Sequence, residues 1–243
     1  GYIGGSITAG SNASDVNTES YRALTTKWFK DSFPEAEIKE ITAGIGGTGT
    51  KYGLYRADSD LKLGTEEEPD LTFIEFAIND KYDRLSESEA SFYYESLINK
   101  LYGENPNMDI VCLITTDWWQ RENDFTSREI QKQLAKHYGI PVVDMGEMLN
   151  GEMRTENGGA ALEGDYTSNE IWQKYFSDVV HPNNAGHAKY AGYITDYLGT
   201  VLTGNAPEAL AAKQLPEAIN ANLASDAYIA TFNDMGYTKY GNG

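Results

Sequence analysis

Short, β-rich apolar runs alternate along this chain with longer segments of helical period, and that alternation restricts the fold more than any other feature. Tyr2-Ile3 and residues 37–42, 71–78, 109–115 and 140–145 read as strands. Between them Tyr21, Leu24, Trp28 and Phe29 recur at helical spacing before Pro34, and residues 52–61 suit a second helix. Ser86 with Glu89, and Thr126 with Glu129, have the spacing of capping boxes, and the helix opened by Thr126 ends at Gly139. Parallel strands need crossover connections, so this order of elements predicts an open, largely parallel sheet covered by helices on both faces.

Such a sheet binds ligands beyond the carboxyl ends of its strands. Four features fall there: the turn Gly4-Gly5-Ser6-Ile7, the glycine-rich stretch 43–50, Asn79-Asp80 after the third strand, and Trp118-Trp119 after the fourth. An exposed indole at Trp118 or Trp119 would stack on a sugar ring, and core packing is the competing reading. Residues 151–168 read as a long surface loop bordering this end. At 243 residues the chain suits one α/β domain over 1–203, with 204–243 an appended segment that packs on the domain or leads to a further one.

The net charge of −18 argues against a nucleic-acid or anionic-membrane surface. No run approaches the roughly 18 apolar residues of a membrane span. Cys112 lies alone in an apolar strand and reads as a packed thiol. The chain starts at the entry to its first strand, which suggests sequence removed upstream; a secreted or cell-surface location is the expectation, with the cytoplasm as the other reading. No cofactor and no metal are expected: there is no His-Glu-x-x-His, no paired cysteine set and no complete phosphate-loop or dinucleotide fingerprint.

A serine in a glycine turn is weak evidence for chemistry, because its hydroxyl needs a base and oxyanion donors. Asp178-Val179-Val180-His181 offers an acid and an imidazole on one short loop, an arrangement in which the acid orients the ring. A helix-entry loop, with Pro182 as an early helical residue and Asp178 as a cap, explains the same residues. His187 reads as a surface or partly packed histidine, His137 as a helix-end partner of the dipole, and Glu75 as an acid paired with Arg56 or Arg22, with a charge on the sheet's exposed edge as the other reading.

In order, Gly4-Gly5-Ser6-Ile7, the loop ending at Gly46-Gly47, Ala77-Ile78-Asn79-Asp80 and Asp178-Val179-Val180-His181 resemble the four blocks of the SGNH hydrolases, the GDSL esterase and lipase superfamily. The resemblance implies a three-layer α/β/α sandwich, flavodoxin-like, with a central parallel sheet of about five strands. It implies Ser6 as nucleophile, His181 as base and Asp178 as its orienting acid. The N–H groups of Ser6 and Gly47 and the amide of Asn79 would form the oxyanion hole. The family's usual aspartate before the nucleophile is Gly5 here, which suggests a roomier entrance. The phrase 73–82 also resembles a bacterial carbohydrate-esterase branch. The expected activity is therefore a serine esterase removing small acyl groups, acetyl foremost, from an acylated carbohydrate. An acyltransferase or short-chain lipase on the same site, and a non-catalytic carbohydrate-binding module, are the alternatives.

Overall fold

The computed structural model describes residues 1–119, 126–202 and 213–229. Its strands are β1 (Tyr2–Gly4), β2 (Thr42–Gly44), β3 (Leu71–Glu75), β4 (Asp109–Ile114) and β5 (Val142–Asp144). They form one parallel sheet in the order β2-β1-β3-β4-β5. The helices are α1 (Ser6–Ala9), α2 (Tyr21–Ser32), α3 (Thr50–Asp60), α4 (Ala77–Tyr82), α5 (Glu87–Glu104), α6 (Thr126–His137), α7 (Met145–Glu156), α8 (Glu170–Tyr175) and α9 (Asn184–Val201). One layer is built on α2 and α9 with α7 and α8, the other on α3, α5 and α6. The three-layer α/β/α sandwich with five parallel strands is as expected.

The strand order reverses at β1, whose chain continues to β2 on one side while β3 lies on the other, and the crevice of a doubly wound sheet opens at that point. Gly4 is level with Gly44 on one neighbour and with Glu75 on the other. Three strands thus end side by side, so the segments that follow them are brought together.

Three boundaries differ from the sequence reading. The second strand is Thr42–Gly44, not 37–42. β3 stops at Glu75, and Phe76 (φ −139°, ψ −7°) turns the chain into α4, so Ala77 and Ile78 are helical. Both are buried, and an apolar run buried in either conformation carries no period to distinguish them. The stretch 151–168 begins inside α7, where Met145, Leu149 and Met153 repeat every four residues on a buried face. The Ser86–Glu89 capping box is formed at α5, whereas Thr126 is the first residue of α6.

Residues 213–229 lie along α5. Glu95 accepts from the Ile219 and Asn220 N–H groups, each at 2.7 Å, and Ala224 N–H donates to Ser96 Oγ at 3.0 Å. His137, at the end of α6, contacts the Glu217 carbonyl at 2.9 Å. Ile229 N–H reaches the Tyr55 carbonyl on α3 at 2.9 Å.

Candidate active site

β1 delivers Ser6 as the first residue of α1, so its N–H precedes the first intrahelical bond of that helix. The turn lies tightly over the strand ends. A Cβ added at Gly44 would sit 2.4 Å from Ala9 N and 2.7 Å from the Thr8 carbonyl carbon, so only glycine lets β2 pass beneath α1. Arg56 crosses from α3 and donates to the Gly4 carbonyl at 3.0 Å and the Ala43 carbonyl at 2.7 Å, binding the ends of β1 and β2 through one buried guanidinium. Asp60 balances its charge at 2.7 Å.

Glu75 pairs with neither arginine, contrary to the sequence expectation. Arg22 is matched by Glu40 and Arg56 by Asp60. The buried Glu75 carboxyl accepts instead from Thr8 Oγ1 at 3.0 Å and Thr115 Oγ1 at 2.9 Å, while its carbonyl receives the Gly5 N–H at 3.3 Å. Burial raises its pKa to about 7 despite these donors. One residue therefore ties the Ser6 turn to the ends of β3 and β4.

The structure brings Ser6, His181 and Asp178 into one hydrogen-bonded line. Ser6 Oγ is 2.9 Å from His181 Nε2, and His181 Nδ1 is 2.8 Å from Asp178 Oδ2. An ionised carboxylate only accepts, so Nδ1 carries the proton and Nε2 is left to accept from the serine hydroxyl. Asp178 Oδ1 accepts from the N–H groups of His181 and Val180 at 2.7 and 2.8 Å. Burial pushes this carboxyl upward, but those bonds and the imidazole outweigh it and hold the pKa below the usual aspartate range. Asn12, in the left-handed region that asparagine tolerates (φ +66°), donates to Asp178 Oδ2 at 3.2 Å.

Trp118 does not face a ligand. It is 1 % exposed and packs edge-on against Trp172 at a centroid distance of 5.3 Å, correcting the expectation that it stacks on a sugar. Its backbone N–H donates to the Val179 carbonyl at 2.8 Å, and Trp172 Nε1 donates to the Asp178 carbonyl at 2.8 Å. The two indoles form the wall that holds the acid–imidazole loop. Trp119, by contrast, is 56 % exposed. Nothing in the sequence marked Trp172, because its role depends on where α8 packs.

Asn79 lies in α4 with its amide against Gly5: a Cβ added there would sit 2.1 Å from Asn79 Oδ1 and 2.9 Å from its Cγ. The place that a side chain at residue 5 would take is thus occupied by Asn79. The loop after β2 crosses the serine, with a Cβ on Gly46 placed 3.7 Å from Ser6 Cβ. Gly47 follows at φ +72° with open space beside it.

Asp80 is fully buried and accepts from Thr50 N and Oγ1 at 2.7 and 2.6 Å and from Gln131 Nε2 at 2.8 Å. It caps α3 and locks α4 beside it, which sets the position of Asn79. Burial raises its pKa to about 6. His187 is fully buried, where a surface or partly packed position was expected: Tyr21 N–H donates to Nδ1, Nε2 faces the Ser11 carbonyl at 3.1 Å, and burial lowers the pKa to about 4. Cys112 is buried with its thiol pushed up to about 12. Among the described residues no group of three or more His, Cys, Asp or Glu side chains is placed to hold a metal ion, and no helix is long and apolar enough to cross a membrane.

A doubly wound α/β/α sheet with serine, histidine and aspartate aligned beyond its switch point has the architecture of an acyl-hydrolase domain. The chain belongs to the GDSL-like Lipase/Acylhydrolase family, which matches residues 2–189. No curated protein matches the sequence. Among solved structures it is similar to a two-domain esterase (CEX) active on acetylated mannans, co-crystallised with mannopentaose (TM-score 0.72, 30 % identity, 91 % of this chain and 52 % of the other). This chain therefore spans about half the length of that esterase. It also shares its fold with LAE5, an alpha/beta hydrolase from the metagenome of Lake Arreo, Spain (TM-score 0.62, 19 % identity, 83 % and 95 % covered). A further likeness of fold is to Axe2, an acetylxylan esterase from Geobacillus stearothermophilus (TM-score 0.62, 19 % identity, 82 % and 92 % covered).

Proposed function

We propose that this domain is a serine esterase that removes acetyl groups from acetylated carbohydrate through an acyl-enzyme. The observation that carries the reading is the unbroken line from Ser6 Oγ through His181 to Asp178, at 2.9 and 2.8 Å. Ser6 Oγ attacks the ester carbonyl carbon as its proton passes to His181 Nε2, and Asp178 stabilises the imidazolium. The N–H groups of Ser6 and Gly47 and the Asn79 amide receive the developing oxyanion. The intermediate collapses as His181 returns the proton to the departing sugar oxygen, leaving acetyl on Ser6. Water then gives a proton to His181, attacks the acyl carbon and releases acetate, and the same proton restores the serine.

The carbohydrate assignment is supported by the 30 % identity over 91 % of this chain to an esterase active on acetylated mannans. Acetate release from acetylated manno-oligosaccharides, acetylated xylan and methyl acetate, compared between wild type and Ser6→Ala, tests the mechanism and the substrate class together. The expected loss on Ser6→Ala is about 10³-fold or more on every substrate. Equal rates in the two proteins would sink the serine mechanism.

A further inference from the structure

Tyr82 closes α4 three residues after Asn79, so the two side chains occupy the same side of one helical turn. Asn79 sets one end of that side against Gly5, beside the serine. At the other end the Tyr82 hydroxyl donates to Asp117 Oδ2 at 2.8 Å, on a carboxylate that is fully buried after the end of β4. The next residue, Trp118, holds the Val179 carbonyl of the acid–imidazole loop. The ring is thereby suspended between the nucleophile turn and the loop that carries Asp178 and His181.

Although its hydroxyl is tied down, the residue remains 49 % exposed. Burial first, then the bond to Asp117 and the charges of Asp117 and Asp178, lift the phenol well above its usual pKa. It therefore stays a neutral donor to Asp117. Lys81 Nζ stands 5.6 Å from the ring centroid and 3.3 Å from Asp117 Oδ2. With the hydroxyl committed to Asp117, what the residue offers to a ligand is its flat apolar face. Sugars present a matching surface: a patch of C–H groups on one ring face, ringed by hydroxyls. A fixed aromatic ring binds such a surface at little cost in side-chain entropy.

We propose that Tyr82 is a specificity-determining residue, its ring face receiving the C–H face of the sugar that bears the scissile acetyl group, with Asp117 as the positioning residue that sets the ring's angle. The proposal rests on the reading of the domain as a carbohydrate acetylesterase. Tyr82→Leu and Tyr82→Phe test it, because both lose the bond to Asp117 and only leucine loses the flat ring. Steady-state kinetics are measured on an acetylated manno-oligosaccharide and on methyl acetate, which has no sugar ring to lie on Tyr82.

Tyr82→Leu is expected to raise KM for the acetylated oligosaccharide about five- to tenfold, in keeping with the worth of one aromatic contact. Tyr82→Phe is expected to stay within about threefold of wild type, and both variants to match each other on methyl acetate. Leucine and phenylalanine variants with the same sugar KM overturn the proposal, as does a leucine variant whose loss on methyl acetate equals its loss on the sugar. A leucine variant altered only in its preference between acetyl and butyryl esters places the ring in the acyl pocket and also overturns it. A wild type active on methyl acetate and on no acetylated sugar overturns the substrate reading and the proposal together, whereas an active wild type with sugar kinetics indifferent to residue 82 overturns the proposal alone.

Discussion

Replacing Gly5 by alanine adds one methyl group at the point where the Asn79 amide approaches the nucleophile turn. The added Cβ would lie 2.1 Å from Asn79 Oδ1, where 3.0 Å is the practical lower limit for such a contact. The amide must therefore retreat by about 1 Å, a displacement of the size that costs on the order of 100-fold when it affects a group engaged with the transition state. Loss of a whole oxyanion donor costs about 10² to 10³ in turnover, or roughly 3 to 4 kcal/mol, which bounds the effect from above. Folding stability should change by less than about 1 kcal/mol, because the atom that must yield is the end of a side chain and not backbone. The assay is kcat on 4-nitrophenyl acetate for Gly5→Ala, Asn79→Ala and the double variant. Since both changes remove the same amide from the same place, the double variant should be no slower than Asn79→Ala alone. Full turnover in Gly5→Ala, or losses that multiply in the double variant, would refute the placement of Asn79.

Two further perturbations concern the scaffold beneath the site. Burial raises the Glu75 pKa from 4.5 to about 7, so between those values the native state holds more proton than the unfolded chain and stability falls as pH rises. The contribution is about 3 kcal/mol, lost between about pH 4.5 and 7 and absent from Glu75→Gln. Urea unfolding at pH 4.5 and pH 8 should thus show the variant gaining on wild type by that amount at the higher pH, and a constant difference would contradict it. Arg56→Ala leaves the Gly4 and Ala43 carbonyls without their guanidinium donor. A destabilisation of roughly 2 to 5 kcal/mol in urea is expected, and a change under about 1 kcal/mol would mean that those carbonyls find other partners.

The legibility of the site followed from chain-local chemistry. Asp178 and His181 are three residues apart, so their bond is made within one loop, and the acid's two backbone donors come from that loop as well. Gly4 to Ile7 and Asn79-Asp80 stood out because each follows a run apolar enough to be a buried strand. Less legible were the groups that support them. Trp118 and Trp119 are identical neighbours in sequence, yet one is sealed against Trp172 and the other is largely in solvent. Glu75 looked like an ion-pair partner because buried acids usually need one, and two threonine hydroxyls from α1 and the segment after β4 meet that need instead. Tyr82 stood in the sequence only as the last residue of the phrase 73–82, and its anchor on Asp117 lies 35 residues away.

By itself, the sequence determined the layered parallel architecture, since strand–helix alternation leaves crossovers as the connection that fits, and it determined which four segments arrive at the carboxyl ends of the strands. Only the tertiary structure decided how those segments meet. Alignment of Gly4 with Gly44 and Glu75, the filling of the Gly5 space by Asn79, and the choice of which aromatic rings are buried all depend on packing between elements far apart in the chain. Periodicity and motif spacing describe one element at a time, and a close approach between two elements is recorded in neither of them.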